Sequence, residues 1–60
     1  MKTKTFYLLG YPIEIYNFGY ASFMYPSFNE DAEFRVSKQG FKRLYHYIRT
    51  VKWLNEQMSK

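Results

Sequence analysis

Lys42, His46, Arg49 and Trp53 are the residues of this 60-residue chain best suited to act on something else. Steps of three and four put them on one side of a helix, where ammonium, imidazole, guanidinium and indole groups together form a contact surface. They do not form a catalytic site. His46 is the single histidine, and it lies between two cations, the setting of a contact-making side chain rather than a general base. With no cysteine in the chain, a thiolate nucleophile and thiolate metal ligands are excluded. Ser22, Ser27, Ser37 and Ser59 stand in no nucleophile-elbow context. Gly10, Gly19 and Gly40 are too isolated to cradle phosphates. Glu30, Asp31 and Glu33 gather carboxylates in one short stretch, without the regular ligand steps and late bidentate Glu of a calcium loop. The expectation is a protein that is not an enzyme and needs neither metal nor cofactor.

The element that positions the contact residues is a long amphipathic helix over about 38–58. Phe41, Leu44, Ile48, Val51, Leu54 and Met58 recur at the steps that line one helical side. Ser37 is suited to cap the first turn, since its hydroxyl can accept from free backbone N–H groups. Gly40 costs the helix roughly 1 kcal/mol against alanine, which predicts a frayed or displaced start. About 100° per residue places Lys42, His46, Arg49 and Trp53 opposite the apolar stripe.

Upstream, residues 3–9, 13–18 and 20–25 are rich in β-formers and read as three strands. The connection at 10–12 carries Gly and Pro, and 17–19 reads as a tight reversal. Links this short suit an antiparallel meander. Residues 27–33 form an acidic loop, and 34–36 are either a brief strand or the lead-in to the helix. The predicted architecture is a single α+β domain, a three-stranded antiparallel meander followed by one helix on one face. Ile13 and Ile15 then point to one side of the sheet, Glu14 and Tyr16 to the other. A single helix covers a single face, so the side bearing Tyr16 is expected to be open, aromatic and an interaction surface. It could equally be the seam of a homodimer.

Composition narrows the setting. The absence of cysteine fits a reducing interior, and no apolar run is long enough to cross a membrane. Residues 1–4 are basic, but the apolar run at 6–9 is too short for a signal peptide, so a cytoplasmic location is expected. One Trp, seven Tyr and six Phe are an unusual aromatic supply. A domain near the lower size limit must bury most of them in its core, an oligomer or a complex. The net charge of +4 permits a polyanionic partner without requiring one.

Two partner classes follow. In size and in its cysteine-free, single-domain format, the chain resembles phage-encoded accessory proteins that inhibit host defence or host enzymes, anti-CRISPR proteins among them. That resemblance implies docking on a host protein or nucleoprotein complex through Trp53, Arg49 and the aromatic sheet face, which are hot-spot residue types. A three-stranded sheet backed by a helix also resembles the arm-binding domains of phage integrases, which implies a nucleic-acid partner. Lys2, Lys4, Lys38, Lys42, Arg43, Arg49 and Lys52 would then meet phosphates. The three predicted strands carry no Lys or Arg after Lys4, so donors for groove reading are missing there, and a helix-led contact is the better nucleic-acid version. Protein docking is the favoured reading.

Overall fold

A computed structural model describes residues 2–59, with the side chain of Lys2 outside the description. Four strands precede one helix: β1 (Lys2–Leu8), β2 (Tyr11–Asn17), β3 (Ser22–Pro26), β4 (Phe34–Arg35) and α1 (Lys38–Met58). The strands lie in chain order in one sheet, and every neighbouring pair is antiparallel. The α+β meander and the helix bounds agree with the sequence reading. The sheet gains a fourth strand because the chain, after the acidic loop, returns beside β3. There Phe34 and Arg35 pair with Met24 and Phe23, and the Val36 N–H donates to the Ser22 carbonyl at 3.0 Å.

The first hairpin turns one residue earlier than expected. Leu9 and Gly10 both have positive φ, 52° and 88°, as a two-residue turn matched to the strand twist requires. Leu9 is therefore a turn residue rather than the end of β1, and Tyr11 and Pro12, expected in the connection, belong to β2. Such a φ is uncommon for a leucine. At the second reversal the Phe18 N–H donates to the Ala21 carbonyl at 3.0 Å. The Asn17 side chain accepts from the Gly19 N–H at 2.8 Å.

Register divides the strands into two faces. Phe6, Ile13 and Pro26 lie in one cross-strand row, and Ile15, Met24 and Phe34 in the next. Opposed residues of an antiparallel pair point the same way, so this face meets the helix. Its centre is Ile13 and Met24 against Leu44 and Ile48, all four fully buried. Each is worth about 1.5–3 kcal/mol of burial. Phe6, Leu8, Tyr11, Ile15, Phe34 and Tyr47 pack around this centre. The aromatics thus form a rim rather than the core, and Tyr7, Phe18, Tyr20, Phe28, Phe41, Tyr45 and Trp53 are exposed in the single chain. Most of the rings therefore lie outside the four-residue core, against the expectation that the domain's own core would take them.

The apolar stripe of α1 is only partly used. Leu44 and Ile48 are buried and Val51 is half-buried, whereas Phe41, Leu54 and Met58 are exposed. For Leu54 and Met58 the reason is length. Twenty-one helical residues span about 31 Å, while seven-residue strands span about 23 Å. The C-terminal turns run past the sheet, which gives the molecule its 43 Å long axis. Asn55 is the last residue tied back, its amide donating to the Tyr11 hydroxyl at 2.9 Å.

The helix start is held by Gly40. Ser37 caps as expected, its hydroxyl accepting from the Gly40 N–H at 3.0 Å. The Phe41 N–H donates to the Ser37 carbonyl at 2.8 Å, so the start is neither frayed nor displaced. Gly40 is buried because the first turn presses on the end of β4. A Cβ there would stand 1.7 Å from the Arg35 carbonyl oxygen. The residue that reads as a helical weakness is the one that admits close helix–sheet contact.

Candidate functional site

The sheet face turned away from α1 is uncovered, and five rings meet on it. Tyr16 and Phe23 are cross-strand partners, as are Glu14 and Tyr25. The turn brings Phe18 and Tyr20 over the same end. Tyr16 meets Tyr25 edge to face at 5.5 Å between centroids, with their planes at 90°. It lies nearly parallel to Phe18 at 6.3 Å. Phe18 meets Phe23 at 5.9 Å and Tyr20 at 6.5 Å, and Tyr20 meets Phe23 at 6.2 Å. Centroid separations in this range are those of interacting aromatic pairs. Tyr16, Phe23 and Tyr25 are half-buried by their neighbours, whereas Phe18 and Tyr20 stand out, Tyr20 at 81% exposure.

Carboxylates flank these rings. Glu14, Tyr16, Phe18, Tyr25 and Glu30 line a cleft of about 340 Å³. Glu14 accepts from the Ser27 hydroxyl at 3.0 Å, and Glu33 accepts from the Tyr25 hydroxyl. That hydrogen bond to Glu33, assisted by burial and the carboxylate's charge, pushes the Tyr25 pKa up to about 12. The acidic loop is shaped by Asn29, whose backbone N–H donates to the Pro26 carbonyl at 3.1 Å and whose side chain accepts from the Asp31 N–H at 3.1 Å. The Asn29 amide also donates to the Tyr47 hydroxyl at 3.0 Å, tying the loop to α1. Among the described residues, no group of three or more His, Asp or Glu side chains is arranged to hold a metal ion.

The residues singled out in the sequence fall on two opposite surfaces. His46, Arg49 and Trp53 line a shallow recess of about 300 Å³ with Thr50 on the outer side of α1. Trp53 is 57% exposed there. Arg49 also lies 5.8 Å from the centre of the Tyr45 ring, within cation–π reach. Lys42 is exposed one turn earlier and does not line the recess. Tyr16 is on the far side of the sheet, in the ring cluster. Helix and sheet residues therefore do not form one continuous site.

Phe18, Tyr20, Phe23, Tyr25, Glu14 and Glu30 were not singled out as site residues, although the strand alternation contained part of the signal. Glu14 and Tyr16 share a face by the two-residue period alone. Placing Phe23 and Tyr25 beside them requires the β2–β3 register, which the turn sets. Arg35 is a further addition, since its pairing with Phe23 puts a cation on the edge of the open face. Searches against known protein families, curated proteins and solved structures find no match to this chain.

Proposed function

We propose that this is a non-catalytic binding protein that docks on another protein through the open aromatic face of its sheet. The observation supporting this reading is the cluster of Tyr16, Phe18, Tyr20, Phe23 and Tyr25, five rings linked by neighbour contacts on a face that none of the described elements covers. Tyrosine-rich surfaces dominate protein interfaces because each ring offers a large contact area with few rotors to immobilise. Five of the nine Lys and Arg residues lie on α1 rather than on the sheet, which leaves the ring cluster itself less suited to phosphates than to a protein surface. Docking occludes the partner surface beneath the rings, so the expected effect is to block or modulate that partner. In the cytoplasm this is the action of a small inhibitor or adaptor, and a partner already assembled with nucleic acid remains within its scope.

Nucleic-acid binding through α1 is the second reading, favoured by the recess where Arg49, His46 and Trp53 meet. The two readings use opposite surfaces, so variants separate them. Binding partners are recovered from host lysate with and without nuclease, using Tyr16→Glu and Arg49→Glu proteins beside the parent. The docking proposal expects a stoichiometric protein that survives nuclease and is lost with Tyr16→Glu alone. Material lost to nuclease and to Arg49→Glu establishes the second reading instead. Recovery of the chain itself, with loss of the dimer in Tyr16→Glu, makes the face a homodimer seam.

A further inference from the structure

We infer that the open face pairs with itself: two copies of the chain close face to face, and a docking protein must displace the second copy to reach the rings. This goes beyond the docking proposal, and only the displacement rests on it. The face is built in cross-strand rows. Lys2, Tyr16, Phe23 and Arg35 make one row, with a basic residue at each edge of the sheet and two rings between them. Thr5, Glu14 and Tyr25 make the next row, about 7 Å along the strands. The Tyr25 hydroxyl holds the Glu33 carboxylate beside that row, and Glu30 adds another carboxylate at the same cleft. Lys4 pairs with Ile15 and so belongs to the helix side. Beyond the basic row, the turn carries Phe18 and Tyr20. Beyond the acidic row, Tyr7 and Pro12 are cross-strand partners.

Charge complementarity selects the occupant. A partner surface of one sign is attracted by one row and repelled by the other. A second copy, turned over about an axis that runs across the strands between the two rows, lays each basic row on the other copy's acidic row. Arg35 then meets Glu33 of the second copy, and Glu33 meets Arg35 of the second copy, the reciprocal contacts of a two-fold interface. The Glu33 carboxylate can take this guanidinium while keeping the Tyr25 hydroxyl, because its two oxygens offer about four acceptor sites. The same rotation sets Phe18 and Tyr20 over the Tyr7 and Pro12 end of the second copy. Sheets pack face to face in this way about 10 Å apart. The area suffices. Tyr7, Phe18 and Tyr20 are 72%, 45% and 81% exposed, which at about 150–250 Å² a ring leaves roughly 400 Å² per copy. The half-buried Tyr16, Phe23 and Tyr25 take the total over two copies to about 1,000 Å², the size at which specific interfaces begin.

The test is sedimentation equilibrium of the full chain over a range from about 1 to 500 μM. A mass that rises with concentration from 7.4 kDa toward twice that value is the expected result. Arg35→Glu and Glu33→Arg, both at exposed positions, each set like charges against one another across the seam. Each should weaken the dimer by about tenfold or more, with the circular dichroism spectrum unchanged. An equimolar mixture of the two variants, and the charge-exchanged Arg35→Glu/Glu33→Arg chain, should each recover pairing. Tyr20→Ser, on the exposed turn, should weaken pairing without changing a charge, and it carries the comparison should a β4 variant fail to fold. The inference is overturned by a single 7.4 kDa species across the whole range, by variants that pair as the parent does, or by a mixture that pairs no better than its components. It is equally overturned if Met58→Ser abolishes pairing and Arg35→Glu does not, since the copies would then meet at the exposed end of α1. A monomer whose captured host protein is lost with Tyr16→Glu removes self-pairing and leaves docking. A dimer that captures no other protein removes docking and leaves self-pairing, and a captured protein that leaves the dimer intact removes the displacement. If neither a dimer nor a captured protein is found, both fall.

Discussion

Replacing Gly40 with alanine sets two effects against each other. Helix propensity favours the change by about 1 kcal/mol, since glycine loses more backbone freedom than alanine in an α-helix. Packing opposes it. The new Cβ would stand 1.7 Å from the Arg35 carbonyl oxygen and 2.8 Å from its carbon, both backbone atoms of the β4 end. Ordinary contact begins near 3.4 Å, so helix and strand must part by roughly 1.5–2 Å in a region that has no side chain to rotate away. Overpacking of a filled site costs about 1–3 kcal/mol. Parting the helix from β4 also loosens Leu44, one turn on, whose full burial is worth about 1.5–3 kcal/mol. The net expectation is a loss of about 2–4 kcal/mol, despite the better helix former. In a domain this small about 1 kcal/mol moves the thermal midpoint by about 4–8 °C, so the melt should fall by about 10 °C or more. Urea unfolding followed at 222 nm, with the slope compared to the parent, measures the free energy directly. A midpoint equal to or above the parent's would refute the reasoning, because propensity would then outweigh contact.

Four further substitutions probe the same architecture. Leu44→Ala and Ile48→Ala each remove a fully buried side chain and should cost about 2–5 kcal/mol, enough to leave either variant largely unfolded by circular dichroism; a folded spectrum with a parental melt would contradict the core assignment. Trp53→Ala should change stability by no more than about 0.5 kcal/mol, as exposed positions do, and a loss of about 3 kcal/mol in denaturant would instead make Trp53 a core residue. In Glu33→Ala, the tyrosine titrating near pH 12 at 295 nm should move down toward the ordinary value of 10, because its carboxylate acceptor is gone. The sign of the linked stability is fixed: the unfolded chain releases this proton first, so the Tyr25 contribution is complete below pH 10 and is lost as pH rises through about 12. Alkaline melts of parent and Glu33→Ala that decline identically would show that the pair adds nothing.

The elements were legible in the sequence wherever periodicity was strong. Leu44 and Ile48 recur at helical steps and are buried, and Ile13 and Ile15 alternate with Glu14 and Tyr16 as the two faces require. Leu9 misled because it continues the apolar run of β1, and its positive φ is imposed by hairpin twist rather than by its own preference. Leu54 and Met58 carry the right period for a core, but period does not encode how far the sheet extends beneath a helix. Gly40 was read through propensity alone, since close approach to Arg35 depends on a contact between separate elements. The candidate site was legible at Tyr16 and incomplete beyond it. Its other rings come from β3 and from the turn, and their convergence depends on a register that a single strand's pattern does not contain.

The five rings of the cluster fall within residues 16–25 of the chain, on a single hairpin. Closing that hairpin spans a short loop, so little chain entropy opposes its assembly, although a two-stranded hairpin is marginal by itself. The remaining strands and α1 act as a clamp on an element that is already local. Over the same ten residues, Met24 faces the core while Phe23 and Tyr25 face outward. A core residue and two rings of the open face thus stand on adjacent letters of one short segment. On the docking proposal, changes of ring along that segment would alter the choice of partner, while Met24 between Phe23 and Tyr25 stays in the core.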